Sequence, residues 1–153
     1  MELVIATIGA IIGAAASFFF TEYSKGKDER LKLVSAVRTE LEMNLEIARE
    51  ILHTNEQINF DSNDNQAWEW CEIIPFSESA WSAVISTGQL VNFKVPMISP
   101  LSRAFAMVKR ANFAAEKISS GKYHPREGKE YTQRVRMAMD STQKALDVLN
   151  ASK

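Results

Sequence analysis

Hydrophobic positions follow two different patterns along this chain. Residues 3–20 contain no charged side chain, whereas from residue 28 onward apolar positions recur every three or four residues between polar ones. An uncharged run of this length spans about 27 Å as a helix, close to the roughly 30 Å of bilayer hydrocarbon. The run therefore predicts a transmembrane helix, and the periodic remainder predicts amphipathic helices.

The flanks of the uncharged run predict its orientation. Aromatic rings suited to a membrane interface lie at its C-terminal end, at Phe18, Phe19, Phe20 and Tyr23. Basic side chains follow it, at Lys25, Lys27, Arg30 and Lys32, and none precedes it. The positive-inside rule then places the N-terminus outside an inner (plasma) membrane and the rest of the chain in the cytoplasm. The rival interpretation, a cleaved signal peptide, lacks its positive n-region, because only Glu2 lies ahead of the run.

Small residues within the run lie at helical spacing. Gly9 and Gly13 form a G-x-x-x-G pair continued by Ser17, a pattern that lets two helices approach closely. A second small or mildly polar stripe contains Thr7, Ala10, Ala14, Ser17, Thr21 and Ser24. Three interpretations stay open: an anchor that is simply rich in alanine, self-association through the small faces, and a pore lined by the second stripe.

The periodic part predicts three long helices and one short helix. After a short hinge at residues 24–27, the first long helix covers residues 28–53; the alternative is that it runs on from the membrane helix with little interruption. Its apolar stripe is Val34, Val37, Leu41, Asn44, Leu45, Ala48, Ile51 and Leu52, and its polar face is Arg38, Glu40, Glu42, Glu46, Arg49 and Glu50. A polar loop covers residues 54–65, and residues 67–74 are ambiguous between a short helix and an extended piece. A short helix, capped by Ser77 or Ser79, ends at Gly88. The third helix begins near Pro96 and Pro100 and ends at Gly121. The fourth helix begins at Pro125. Their stripes are Leu101, Phe105, Val108, Asn112, Ala115 and Ile118, then Tyr131, Val135, Ala138, Thr142, Ala145 and Leu149.

These elements predict an all-α protein. Residues 1–24 form a transmembrane anchor, and residues 25–153 form a cytoplasmic antiparallel helical bundle in which each helix buries its stripe against the others. Asn44 and Asn112 interrupt two of the stripes. Each could fix the register of the bundle or pair across it; the alternative is that each binds loop backbone or faces solvent at the edge of the bundle.

Composition narrows the classes of function. The formal net charge is −1, which gives no basic face of the kind that nucleic acid requires, so no nucleic-acid partner is expected. Cys71 is the only cysteine, which excludes an internal disulfide and fits a reducing compartment. No cofactor motif and no Gly-rich phosphate loop is present, and we expect no cofactor.

Two spacings suggest metal chemistry but are incomplete. Glu50 and His53 have the Glu-x-x-His spacing of di-metal carboxylate helices, yet the second histidine, His124, has no glutamate three residues before it. Residues 61–65 followed by Glu72 match most of a calcium loop, but Gln66 occupies the position that needs glycine. Arg49 and His53 lie closer together than the Arg…His pair of HEPN-type ribonucleases. The sequence therefore predicts a protein that is not an enzyme, with a membrane-bound metal-dependent hydrolase around Glu50, His53 and Asp61 as a remote alternative.

Aromatic residues concentrate in the middle third of the chain. Trp68, Trp70 and Trp81 lie there with Phe76 and Phe93. Most such rings are buried in a core, because aromatic side chains gain the most from burial. The alternative is a binding groove or subunit interface, where tryptophan is enriched.

The order of features resembles small single-pass helical proteins of bacteria and archaea. The features are the uncharged N-terminal helix ending in residues 18–23, a long helix with Leu41-x-x-Asn44-Leu45, then Ala80-Trp81, a stop at Gly88, and a helix with Ala111-Asn112. In layout the chain is also similar to membrane-anchored accessory proteins of prokaryotic antiviral systems, some of which form pores. The resemblance implies an anchored helical architecture and imports no activity.

The pattern as a whole predicts a non-enzymatic, membrane-anchored helical module. We expect it to self-associate through its transmembrane helix, as a homo-oligomer in the lipid bilayer, and to present the bundle to a protein partner. The alternative from a different class is an oligomeric pore or membrane-perturbing effector of antiviral type, which depends on the stripe from Thr7 to Ser24.

Overall fold

The computed structural model of the protein describes residues 2–58, 71–120 and 125–151, with the backbone alone for residues 2–27, 125 and 126. Within these ranges all regular secondary structure is helical. The predicted all-α class is therefore confirmed, and the packing described below confirms a helical bundle.

Four α-helices and one short 3₁₀ helix make up the described structure. The α-helices are α1 (Glu2–Asn55), α2 (Ser79–Ser86), α3 (Val95–Ser119) and α4 (Pro125–Ala151), and the 3₁₀ helix is Gln89–Asn92. The helix is continuous through the short hinge predicted at residues 24–27, which confirms the alternative that the first long helix runs on from the N-terminal one. The lone glycine there, Gly26, costs a helix only about 1 kcal/mol and no proline interrupts the stretch, so the helix can continue.

The chain divides into two compact units, Met1–Ser35 and Ala36–Lys153. The first unit is the N-terminal part of α1, and the side chains of the predicted anchor lie outside the described residues. Among the helices whose side chains are described, none has both the length and the apolarity needed to cross a membrane.

The core of the second unit is built from the predicted apolar stripes. The fully buried stripe positions on α1 are Val37, Leu41, Asn44, Ala48 and Ile51, those on α3 include Leu101, Val108 and Ala111, and those on α4 include Tyr131, Val135, Ala145 and Leu149. Because these positions recur at three and four residues, each helix turns a continuous apolar face towards the same interior.

Pairs of contacts fix how the helices run. Arg134 donates to the carbonyl of Arg110, and Met137 shares a cavity with Met107. Residue numbers therefore decrease along α3 in the direction in which they increase along α4. The two helices are therefore antiparallel. In the same way α4 runs antiparallel to the C-terminal half of α1, because Arg38 contacts the carbonyl of Leu149 while Glu56 pairs with Arg136.

The short helix α2 ends in a turn that requires glycine. Gly88 has a φ of +69°, in the left-handed region that side chains with a Cβ rarely adopt. The predicted stop at Gly88 is confirmed. The chain then passes through the 3₁₀ helix into α3, whose second residue is Pro96.

Candidate functional site

A segment without regular secondary structure, residues 71–78, lies across the bundle and is held by asparagine side chains. Asn55 accepts a bond from the Glu72 amide at 2.8 Å and donates to the Glu72 carbonyl at 3.2 Å. Asn44 binds the amide and carbonyl of Ser77 in the same way, both at 2.8 Å. Each asparagine thus satisfies both backbone groups of one residue in a place where water is largely excluded.

A third asparagine comes from the opposite helix. Asn112 of α3 accepts a bond from the Phe76 amide at 2.8 Å and donates to the Phe76 carbonyl at 3.0 Å. It also donates to Oε1 of Glu78 at 2.9 Å. The segment is therefore fastened from both sides, by Asn44 and Asn55 of α1 and by Asn112 of α3.

The spacing of these contacts explains why the segment is extended. Asn44 and Asn55 are separated along α1 by about 16 Å, at about 1.5 Å per residue. The chain from Glu72 to Ser77 covers that distance only if each residue contributes about 3.3 Å, which is an extended backbone. This resolves the ambiguity for residues 71–74 in favour of an extended piece. It also resolves the alternatives for Asn44 and Asn112: both bind loop backbone.

A buried carboxylate fixes the start of α2. Glu40 of α1 accepts bonds from the amides of Ala80 and Trp81, both at 3.0 Å, and from the hydroxyls of Ser77 at 2.6 Å and Ser79 at 3.0 Å. Those two amides are among the donors that a helix N-terminus leaves without partners. The predicted cap by Ser77 or Ser79 is therefore wrong, because the capping group comes from another helix and the two serines bind that same carboxylate.

Glu40 is also wrongly assigned to the polar face of α1, since its side chain is only 5 % exposed. Burial by itself would raise the pKa of its carboxyl, but the hydrogen bonds from Ser77, from the backbone of Ala80 and Trp81, and from Ser79 bring the pKa below its ordinary value. The helix N-terminus adds partial positive charge at the same point. The group is therefore an anion that the fold requires.

Trp81, a predicted interface residue, lies in the core. It is 8 % exposed, and its indole stacks on Phe105 with centroids 5.2 Å apart and planes 4° from parallel. Phe93 meets the indole edge-on at 6.2 Å. The rings join α2 to α3, which gives Trp81 a packing role. The other two predicted interface residues, Trp68 and Trp70, lie outside the described residues.

The surface between α3 and α4 has a different character. Met107, Arg110, Arg134 and Met137 line an open cavity of about 230 Å³. Met137 is 45 % exposed, and the nearby Phe113 of α3 is 57 % exposed. Exposed methionine and phenylalanine side chains beside arginine are the composition typical of a protein-binding surface. We call this set, with Phe113, the α3–α4 groove.

The α3 side of the groove is predominantly basic. Arg134 is held against Glu130 and the carbonyl of Arg110, so its position is fixed from both sides. Lys117 lies 6.0 Å from the centre of the Phe113 ring, close enough for a cation–π contact. Over its whole length α3 carries Arg103, Lys109, Arg110 and Lys117 against the single acid Glu116. The groove can therefore hold an acidic segment that also offers an apolar side chain.

The remaining predicted site residues divide into two sets. The side chains of the self-association and pore positions, Thr7, Gly9, Ala10, Gly13, Ala14, Ser17 and Thr21, lie outside the described residues. Glu50 and His53 are exposed on α1, while Asp61 also falls outside the described part. Glu72 is engaged by the Thr54 hydroxyl at 2.7 Å. Among the side chains that are described, no three of histidine, cysteine, aspartate and glutamate cluster as metal ligands.

Neither the groove nor the buried cap was predicted from the sequence, because each depends on residues that lie far apart in the chain. The groove depends on residues from two helices, and only their pairing brings Met107 beside Met137 and Arg110 beside Arg134.

Comparison with known proteins gives no match: no family model, no curated protein and no solved structure matches the chain.

Proposed function

We propose that the protein is a non-enzymatic, membrane-anchored helical module that self-associates through its N-terminal helix and presents the α3–α4 groove to a protein partner. The observation that carries the binding part is the exposed Met137 beside Arg110 and Arg134, with Phe113 exposed about one helical turn from Arg110 on α3. Exposed apolar side chains that lie together in a patch are typical of interaction sites.

The sequence supports the membrane part of the proposal. Residues 3–20 carry no charge, and Lys25 and Lys27 lie on the C-terminal side of the run alone. A helix of this composition is long enough to span the hydrocarbon and would leave the bundle on the cytoplasmic side. Small residues at Gly9, Gly13 and Ser17 would let two such helices pack closely.

The test is the oligomeric mass of the full-length protein in nanodiscs, beside the double variant Gly9→Leu/Gly13→Leu. Added leucine side chains would separate the helix backbones and shift the protein towards monomer. The control is Ala15→Leu, which also introduces a leucine but at a position outside both small-residue sets in the helical period. A discrete oligomer that survives Gly9→Leu/Gly13→Leu would contradict self-association through this face.

Membrane anchoring is tested separately, by washing membranes from expressing cells with alkaline carbonate. A spanning helix would keep the protein in the membrane pellet until detergent is added, whereas a protein released by the wash would contradict the anchor. The pore alternative, which depends on the stripe from Thr7 to Thr21, predicts conductance in planar bilayers. A stable oligomer without conductance would favour the module over the pore.

A further inference from the structure

The exposed face of α1 in the second unit carries acidic side chains, whereas the α3 side of the α3–α4 groove carries basic ones. Glu42, Glu46 and Glu50 recur every four residues and are exposed, with Met43 beside them at 44 % exposed. Residues at this spacing form a row along one side of a helix, about 12 Å from the first to the third. We call these four residues the α1 ridge.

None of the three ridge glutamates has an ion-pair or hydrogen-bond partner among the described residues. Arg49 and His53 lie on the same exposed face, and Arg49 offsets one of the three negative charges. The ridge nevertheless remains a net acidic surface with one large apolar side chain, Met43. It therefore has the chemistry that the groove can hold.

The basic side chains on α3 are spaced at distances similar to those between the glutamates of the α1 ridge. Arg103, Arg110 and Lys117 follow one another at intervals of seven residues, about 10.5 Å along the helix. The separation of Arg110 from Lys117 is close to that of Glu42 from Glu50. The exposed Phe113 lies between the two cations in sequence, as Met43 and Glu46 lie between the two acids.

We propose that the α1 ridge of one copy of this chain occupies the α3–α4 groove of a second copy. The inference rests on the proposed self-association and deepens it, by naming the partner of the groove. Because ridge and groove are different surfaces of one chain, two copies can pair reciprocally as a two-fold dimer, or successive copies can form a closed ring or an open row. Exposed ion pairs bind weakly, so the contact depends on the high local concentration that tethering to one membrane provides.

The experiment uses full-length protein in nanodiscs and two charge reversals, Glu46→Arg and Arg110→Glu. Each reversal alone places like charges together and is expected to reduce association between bundles at least tenfold. A mixture of the two variants restores opposite charges at every contact, because the intact groove of one meets the intact ridge of the other and the two reversed positions also meet. Recovery of association in the mixture, with neither variant associating alone, supports contact between ridge and groove.

Association between bundles is read by disulfide formation between copies that carry Met43→Cys on the ridge and copies that carry Met137→Cys in the groove. These exposed positions leave Glu46 and Arg110 available for the charge reversals. The control replaces the second copy with Asn150→Cys, an exposed position near the C-terminal end of α4. Cross-linking of position 43 to position 137 well above the control, lost in each charge reversal and recovered in the mixture, supports the proposal. Equal cross-linking to positions 137 and 150, or charge reversals without effect, overturns it.

The same experiment separates failure of this inference from failure of the proposed function. If Gly9→Leu/Gly13→Leu lowers the oligomeric mass while position 43 never cross-links to position 137, the membrane helices associate and the ridge does not occupy the groove. If the unmodified protein is monomeric throughout, self-association itself fails. Thermal unfolding of each variant, followed by circular dichroism, confirms that these exposed substitutions leave the bundle folded.

Discussion

The carboxylate of Glu40 accepts a hydrogen bond from the backbone amide of Trp81, 3.0 Å away and 41 positions later in the chain. This bond joins the middle of α1 to the first turn of α2 and brings the indole of Trp81 over Phe105. A single buried acid therefore determines both where α2 begins and how its aromatic ring packs.

Replacing Glu40 by glutamine is expected to destabilise the protein by about 2–3 kcal/mol. The change keeps the shape of the side chain but removes the charge, and hydrogen bonds to a charged group contribute about 1.5–3 kcal/mol. Urea unfolding followed by circular dichroism measures the effect. Asp140→Asn, which neutralises an exposed acid on α4, is the control and is expected to change stability by less than about 0.5 kcal/mol. Equal effects of the two variants would contradict a special role for Glu40.

Stability is expected to fall in acid because of the same group. The pKa of Glu40 lies below its ordinary value of 4.5 in the folded protein. Its contribution is therefore fully present above the pKa of the unfolded chain and is lost as the pH falls through the folded value. Urea midpoints measured between neutral pH and pH 3 should decline less steeply for Glu40→Gln than for the unmodified protein. Parallel declines in the two proteins would assign the acid sensitivity to other groups.

Asn112→Asp is expected to destabilise the bundle more at neutral pH than in acid. An ionised aspartate can accept from the Phe76 amide but cannot donate to the Phe76 carbonyl, and it would face Glu78, whose Oε1 lies 2.9 Å from the present amide nitrogen. Protonation restores a donor and removes the repulsion. The difference in melting temperature between this variant and the unmodified protein should therefore shrink from pH 7 to pH 4. Asn150→Asp, on the exposed end of α4, should give no such difference.

The Cys71 thiol is expected to react slowly with alkylating reagents at neutral pH. Burial raises its pKa to about 11, against an opposing hydrogen bond with Asn55, so little thiolate forms near pH 7. Iodoacetamide labelling followed by mass spectrometry should accelerate when urea unfolds the chain. Because the ordinary value is 9.0, the folded state should also lose stability as the pH rises from about 9 to 11. Rapid labelling of the native protein would contradict this burial.

Periodicity predicted the parts of the fold that depend on one helix at a time. The stripe positions Val37, Leu41 and Ile51 are buried as expected, because a helical period specifies which residues share a face. The start of α4 at Pro125 and the turn at Gly88 followed from backbone chemistry. These features are encoded by neighbours in the sequence, so the sequence reveals them.

The features that could not be predicted correctly from the sequence all depend on partners far apart in the chain. Glu40 has the spacing of a polar-face residue, and its burial depends on donors near residue 80 that no local pattern reveals. Asn44 and Asn112 were recognised as unusual in apolar stripes, but their partners, Ser77 and Phe76, lie 33 and 36 positions away. The groove likewise needed the pairing of α3 with α4. The core follows from patterns within single helices and could be predicted. The candidate site depends on contacts between residues far apart in the chain and could not.

The asparagine contacts to residues 71–78 have a consequence for how this chain can change over evolutionary time. Asn44, Asn55 and Asn112 bind main-chain groups, which every residue except proline provides in full. Substitutions at position 72 therefore remove the side-chain bond from Thr54 but preserve both main-chain bonds with Asn55, whereas substitutions of the asparagines remove such pairs of bonds. Across homologues we expect the three asparagines to vary less than position 72, and proline to be absent from position 72.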